Sequence, residues 1–172
     1  MEQAVQLMLN DEAETLEKLL IKFPFLLENK SPSGENWLHE ASQEDNLNIL
    51  EMFTKLFDIE STDDSNRTSL CLAIITDEFS AAKRLIELGA NVNHNSSSSP
   101  LSCAVYSQSK ELLKLLIENG ANNESKEELI RYGRGVGYKN IEENLNELNY
   151  VSAITETFKD NLSAHYGALT DV

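Results

Sequence analysis

The sequence predicts an all-α fold, a solenoid of about five stacked helix-turn-helix units. Three observations carry that prediction. A segment of about thirty residues recurs in register along the chain. Within each segment, apolar residues recur at the spacing of two short amphipathic helices. Glycines stand where the second helix of a segment must stop.

The recurrence is plainest at the segment ends. Residues 85–94 read LIELGANVNH and residues 116–125 read LIENGANNES, so Gly89-Ala90-Asn91 and Gly120-Ala121-Asn122 stand 31 residues apart. Upstream, Thr68-Ser69-Leu70-Cys71-Leu72-Ala73 aligns with Ser99-Pro100-Leu101-Ser102-Cys103-Ala104 at the same spacing, and Asn36-Trp37-Leu38-His39-Glu40-Ala41 precedes the first of these by 32.

Each unit can be justified element by element. A Thr, Ser or Asn before the first helix can cap its free backbone N–H groups, and Pro100 occupies a first helical position, where proline is tolerated. Leu and Ala three residues apart share one helix face, and Ala is small enough for close stacking. Polar breaks follow at 43–46, 76–78 and 107–109. The second helices carry Ile49, Leu50, Met52 and Phe53, then Ala81, Ala82, Leu85 and Ile86, then Leu112, Leu113, Leu115 and Leu116.

At these residues the chain resembles the ankyrin repeat, whose motif runs Gly-x-Thr-Pro-Leu-His-x-Ala and ends in Gly-Ala-x-x-Asn. Gly34-Glu35-Asn36-Trp37-Leu38-His39-Glu40-Ala41 matches with Asn and Trp in place of Thr and Pro. The second unit has Asn66 for Gly and Cys71 for His, and the third keeps Pro100 and Leu101. The expected organisation is a single domain over residues 1–159: an N-terminal capping repeat at 1–30, three clear repeats at 31–124 and a degenerate C-terminal repeat at 125–159, with a tail at 160–172. The capping repeat reads as a helix pair broken near Asn10-Asp11, with Pro24 ending its second helix. In the last repeat, Gly137-Tyr138-Lys139-Asn140-Ile141 resembles the family's break between helices, and residues 149–159 extend the final helix or add another.

Charge narrows the partners. The chain has 172 residues, with 29 acidic against 14 basic side chains and a net charge of −15. Residues 1–65 hold fifteen acids and four bases, and therefore most of the excess. A field of that sign repels nucleic acid and anionic membranes and speeds encounter with a basic protein. No apolar run approaches the ~18 residues of a membrane span, and no CxxC or dense cysteine pattern suggests zinc or a disulfide framework. A cytoplasmic location is the expectation.

No residue set points to catalysis, a metal or a cofactor. His39 occupies the family's histidine position, where the imidazole braces the turn; His94 and His165 show no ligand spacing with it. Cys71 and Cys103 should be buried, and no oriented base accompanies either. Gly133-Arg134-Gly135-Val136-Gly137 is neither GxGxxG nor GxxxxGK[ST] and is expected to allow close helix packing.

The resemblance therefore implies a non-enzymatic protein-protein interaction module that works through hairpin tips and first helices lining a concave groove. Carried onto this sequence, the contact positions are Ser33, Glu35, Gln43 and Glu44; Asp64, Ser65, Arg67 and Thr76; and Asn95, Ser96, Ser98, Tyr106 and Ser107. Trp37 is added as an aromatic anchor at the start of a helix. The implied partner is a basic protein. Some bacterial immunity proteins that neutralise a toxin or nuclease are similarly small, acidic and ankyrin-built; a scaffold with several partners is the alternative, and a ligand-binding or enzymatic protein using the Gly-rich C-terminal region is a less favoured third.

Overall fold

The computed structural model describes residues 2–44, 46–94 and 99–150. These residues form ten α-helices in five consecutive pairs. The pairs are α1 (Glu2–Leu9) with α2 (Ala13–Lys22), α3 (Trp37–Ser42) with α4 (Leu47–Thr54), α5 (Ser69–Ile75) with α6 (Phe79–Glu87), α7 (Pro100–Ser107) with α8 (Lys110–Glu118), and α9 (Lys126–Gly135) with α10 (Ile141–Glu147). A 3-10 turn, Pro24–Glu28, follows α2, so Pro24 opens a new element just after α2 has stopped.

First helices pack on first helices, α3 on α5, α5 on α7 and α7 on α9, while α2, α4, α6 and α8 form a second row. The core runs continuously between the rows. Leu38, Ala41, Leu70, Ala73, Leu101 and Ala104 are all buried there, as the repeat alignment requires. The small Ala lets neighbouring first helices approach, and each Leu fills the space between units at close-packed density.

Local chemistry sets the boundaries. Asn36, Thr68, Ser99 and Ser125 each accept backbone N–H bonds with their side chains at the starts of α3, α5, α7 and α9. Asp11, Asp77 and Gln108 take positive φ at the breaks within pairs, while Gly89 (φ +99°) and Gly120 (φ +87°) do so at the ends of α6 and α8. Neighbouring units are also tied together through polar groups. Asn93 Nδ2 donates to the Gly120 carbonyl at 2.9 Å, and Asn93 Oδ1 accepts from Asn122 N–H at 2.8 Å.

Thr62 and Thr68 form an isolated antiparallel bridge around one tip. The glycine-rich stretch does serve close packing: a Cβ on Gly133 would lie 3.0 Å from Ile141 of α10. Arg134 is turned to the protein's own Glu142 at 2.7 Å. The final helix does not run on past 148. Asn149 adopts φ +50° and Tyr150 turns inward, its hydroxyl donating to the Glu124 carbonyl at 2.6 Å. The remainder of the expected C-terminal repeat and the tail lie outside the described residues.

Candidate protein-binding face

The sequence-predicted contact residues do not share one fate. Trp37 is buried at 5% exposure, which corrects its assignment as an exposed anchor. Its indole N–H donates to the Leu26 carbonyl at 2.7 Å and its ring stacks on Phe53, 5.8 Å between centroids. Proline would normally begin this helix; a Trp here instead nails the capping repeat to the first clear unit.

Arg67 and Glu35 are also spent largely inside the molecule. Asp63 sits fully covered beneath the hairpin, where Oδ1 accepts from the backbone N–H groups of Ser65 (2.9 Å) and Arg67 (2.8 Å). Its Oδ2 takes the Arg67 guanidinium at 2.6 Å, and the same Arg67 Nη2 reaches Glu35 at 3.5 Å. Burial alone would raise the Asp63 carboxyl, but the bonds from Arg67 and Ser65 hold it below the ordinary carboxylate range. Arg67 therefore shapes the tip and neutralises charge there. Glu35 additionally accepts from Ser31 Oγ at 3.1 Å.

His39 lies under the same tip, and burial pushes its imidazole below the ordinary value. Its Nδ1 accepts from Asn36 N–H at 3.2 Å, so Nε2 carries the proton toward the carbonyls of Ser61 (3.1 Å) and Arg67 (3.3 Å). In the next unit Cys71 replaces the imidazole. Its thiol meets that of Cys103, whose hydrogen bond lowers the Cys71 thiol while the Cys103 thiol is pushed up; both are buried and reduced.

What remains on the surface is polar at one end and aromatic at the other. Ser33, Glu44, Asp64, Ser65 and Thr76 are exposed, and Gln43 and Ser107 are half-buried. Gln43 and Ser107 each donate back to a carbonyl of their own helix, and so does Thr76. Tyr106 is 54% exposed. Asn95, Ser96 and Ser98 lie outside the described residues.

Two residues that sequence reasoning did not single out belong to this face. Glu40, one turn before Glu44 on α3, is half-buried, and burial together with Glu35 and Glu44 raises its carboxyl above the ordinary value. The side chains of Glu40, Glu44 and Asp64 have no ion pair among the described residues. Tyr132 on α9 is 41% exposed, at the position in its unit that Tyr106 holds on α7. The signal for Tyr132 was available: Ser125 and Ser99 are equivalent N-caps, and each tyrosine lies seven residues beyond its cap.

Comparison with known families agrees with this architecture. The model for ankyrin repeats, in three copies, matches residues 38–127, just over half of the chain. The chain belongs to the ankyrin-repeat family. No curated protein matches it at a significant level. Ankyrin repeats are protein-protein interaction modules. Among the described residues there is no cluster of His, Cys, Asp and Glu that could hold a metal, and no helix long and apolar enough to cross a membrane.

Proposed function

We propose that this ankyrin stack binds a basic protein through its first-helix face and acts as a stoichiometric inhibitor, an immunity-type protein that occupies a basic toxin or nuclease. The observation that carries the reading is the group of carboxylates at the N-terminal end of the face, Glu40, Glu44 and Asp64, which have no ion pair among the described residues, beside an Arg67 already committed to Asp63. Such a field steers a basic surface to this end, and Tyr106 with Tyr132 supplies large contact area further along. Of the predicted contacts, Ser33, Gln43, Glu44, Asp64, Ser65, Thr76, Tyr106 and Ser107 are retained as the contact set, with Glu40 and Tyr132 added.

The test replaces Glu44 and Asp64 by Lys and measures association with the bound partner. The on-rate falls more than the off-rate rises, and the wild-type on-rate falls as salt is raised. Glu17→Lys with Glu118→Lys, on the second-helix side, is the control. Equal loss in the control assigns the charge to a diffuse field and removes the face from the proposal.

An adaptor with two partners is the second reading. It is favoured by apolar side chains left open on the other row, Ile21 at 73% and Leu56 at 50% exposure, around a cavity of about 500 Å³ between α2 and α4. A complex holding two different proteins at once would establish it over the inhibitor.

A further inference from the structure

The first-helix face is not smooth at its N-terminal end. A cavity of about 270 Å³ opens between α1 and α3. Val5, Met8 and Trp37 are its apolar lining, and Glu35, Glu40 and Lys30 its charged lining. The volume lies below the range of ordinary small-molecule pockets and corresponds to one long side chain. We infer that this cavity is the specificity pocket of the proposed binding face and that it receives one arginine side chain of the partner. The inference rests on the binding-face reading and names the chemistry of a single contact within it.

The argument is one of shape and charge together. An arginine carries an aliphatic stem and a weakly hydrated planar cation, so it can lie along apolar surface while its head reaches a carboxylate. Here apolar Val5, Met8 and Trp37 line the same cavity as the carboxylates of Glu35 and Glu40. Of these, Glu35 is shared with Arg67, and Glu40 has no ion pair among the described residues. The surroundings keep the balance negative: Glu35, Glu40, Glu44, Asp63 and Asp64 gather at this end against Lys30 and Arg67. The raised Glu40 carboxyl is the expected state of a half-buried acid among like charges, and a guanidinium would relieve it. An apolar side chain would leave Glu40 covered and uncompensated, and an acidic one would add repulsion.

Trp37 is the only tryptophan in the chain, so the pocket contains its own reporter. The full chain is titrated with N-acetyl-arginine methylamide while the Trp37 indole N–H and Met8 methyl resonances are followed by NMR. N-acetyl-norleucine methylamide serves as the uncharged isostere. Saturable shifts at both reporters with the arginine probe, absent with norleucine, are expected. Glu40→Gln should weaken the arginine effect by up to roughly fivefold, with an unchanged thermal melt. Equal shifts from norleucine, no shift at either reporter, or an undiminished effect in Glu40→Gln each overturns the inference. Because Glu44→Lys with Asp64→Lys leaves the cavity walls intact, a silent pocket beside a charge-sensitive face would reject the arginine site while leaving the binding face standing.

Discussion

The two ends of the stack use one backbone plan to different effect. Under the tip of the first clear unit, a histidine and an aspartate carry polar braces: His39 to the carbonyls of Ser61 and Arg67, Asp63 to two N–H groups and a guanidinium. One unit further on, the His39 position is Cys71, a buried thiol hydrogen-bonded with that of Cys103, and the polar brace comes from Glu60, which accepts from Asn91 N–H at 2.8 Å and pairs with His94 Nδ1 at 2.8 Å. The surface is divided too, with carboxylates that have no ion pair among the described residues near the first tip and two exposed tyrosines, Tyr106 and Tyr132, on the later helices. Repetition fixes where a residue sits, and the residue chosen there decides which groups brace the tip.

The comparison breaks most visibly in the packed middle. Leu70 is buried between α3, α5 and α7, so Leu70→Ala should cost ~2–5 kcal/mol through the cavity it leaves. Urea unfolding with an unchanged midpoint would contradict the repeat register. In the polar half, Asp63→Ala strands two backbone N–H groups and releases Arg67, with an expected loss of ~1–3 kcal/mol. Its signature is local: amide exchange should rise at Ser65 and Arg67 more than in α7.

A smaller effect depends on pH. His39 has a lowered folded-state value, so below its ordinary value of ~6.5 the unfolded chain binds more protons than the folded one. Its contribution is intact above that point and is lost as pH falls below it. His39→Gln should flatten this part of the stability profile, while Cys71→Ala should leave its slope unchanged. Least of all is expected from the surface: Tyr106→Ala and Tyr132→Ala should each shift stability by no more than about 0.5 kcal/mol, measured by urea titration, since both side chains are open to solvent. A large loss from either would make the tyrosines part of the scaffold.

The fold was legible because its signals are local and repeated. Caps at Thr68 and Ser99, Leu and Ala three apart, and Gly89 and Gly120 at matching spacings all act within a few residues of where they stand. The binding face was legible only in outline. Position in the motif placed Glu44, Asp64 and Tyr106 at the surface, yet it could not show that Arg67 is consumed by Asp63, a pairing decided by the buried geometry of the hairpin. Trp37 was misassigned because its partner, the Leu26 carbonyl, belongs to the degenerate cap, where the motif gives no register. The cavity beside Glu40 escaped for the same reason, since two of its three apolar lining residues are Val5 and Met8 of α1.

The asparagine bridge between units has a mechanical meaning. Asn93 reaches across to Gly120 and Asn122, joining the end of one unit to the end of the next with two hydrogen bonds. Load applied along the stack falls on such small bridges and on flat apolar contacts between neighbours, and among the described residues no long strand ladder shares it. Pulled from its ends, the chain should therefore lengthen unit by unit. Each released repeat of about thirty residues would pay out on the order of 100 Å of extended chain, and the protein would behave as a soft spring.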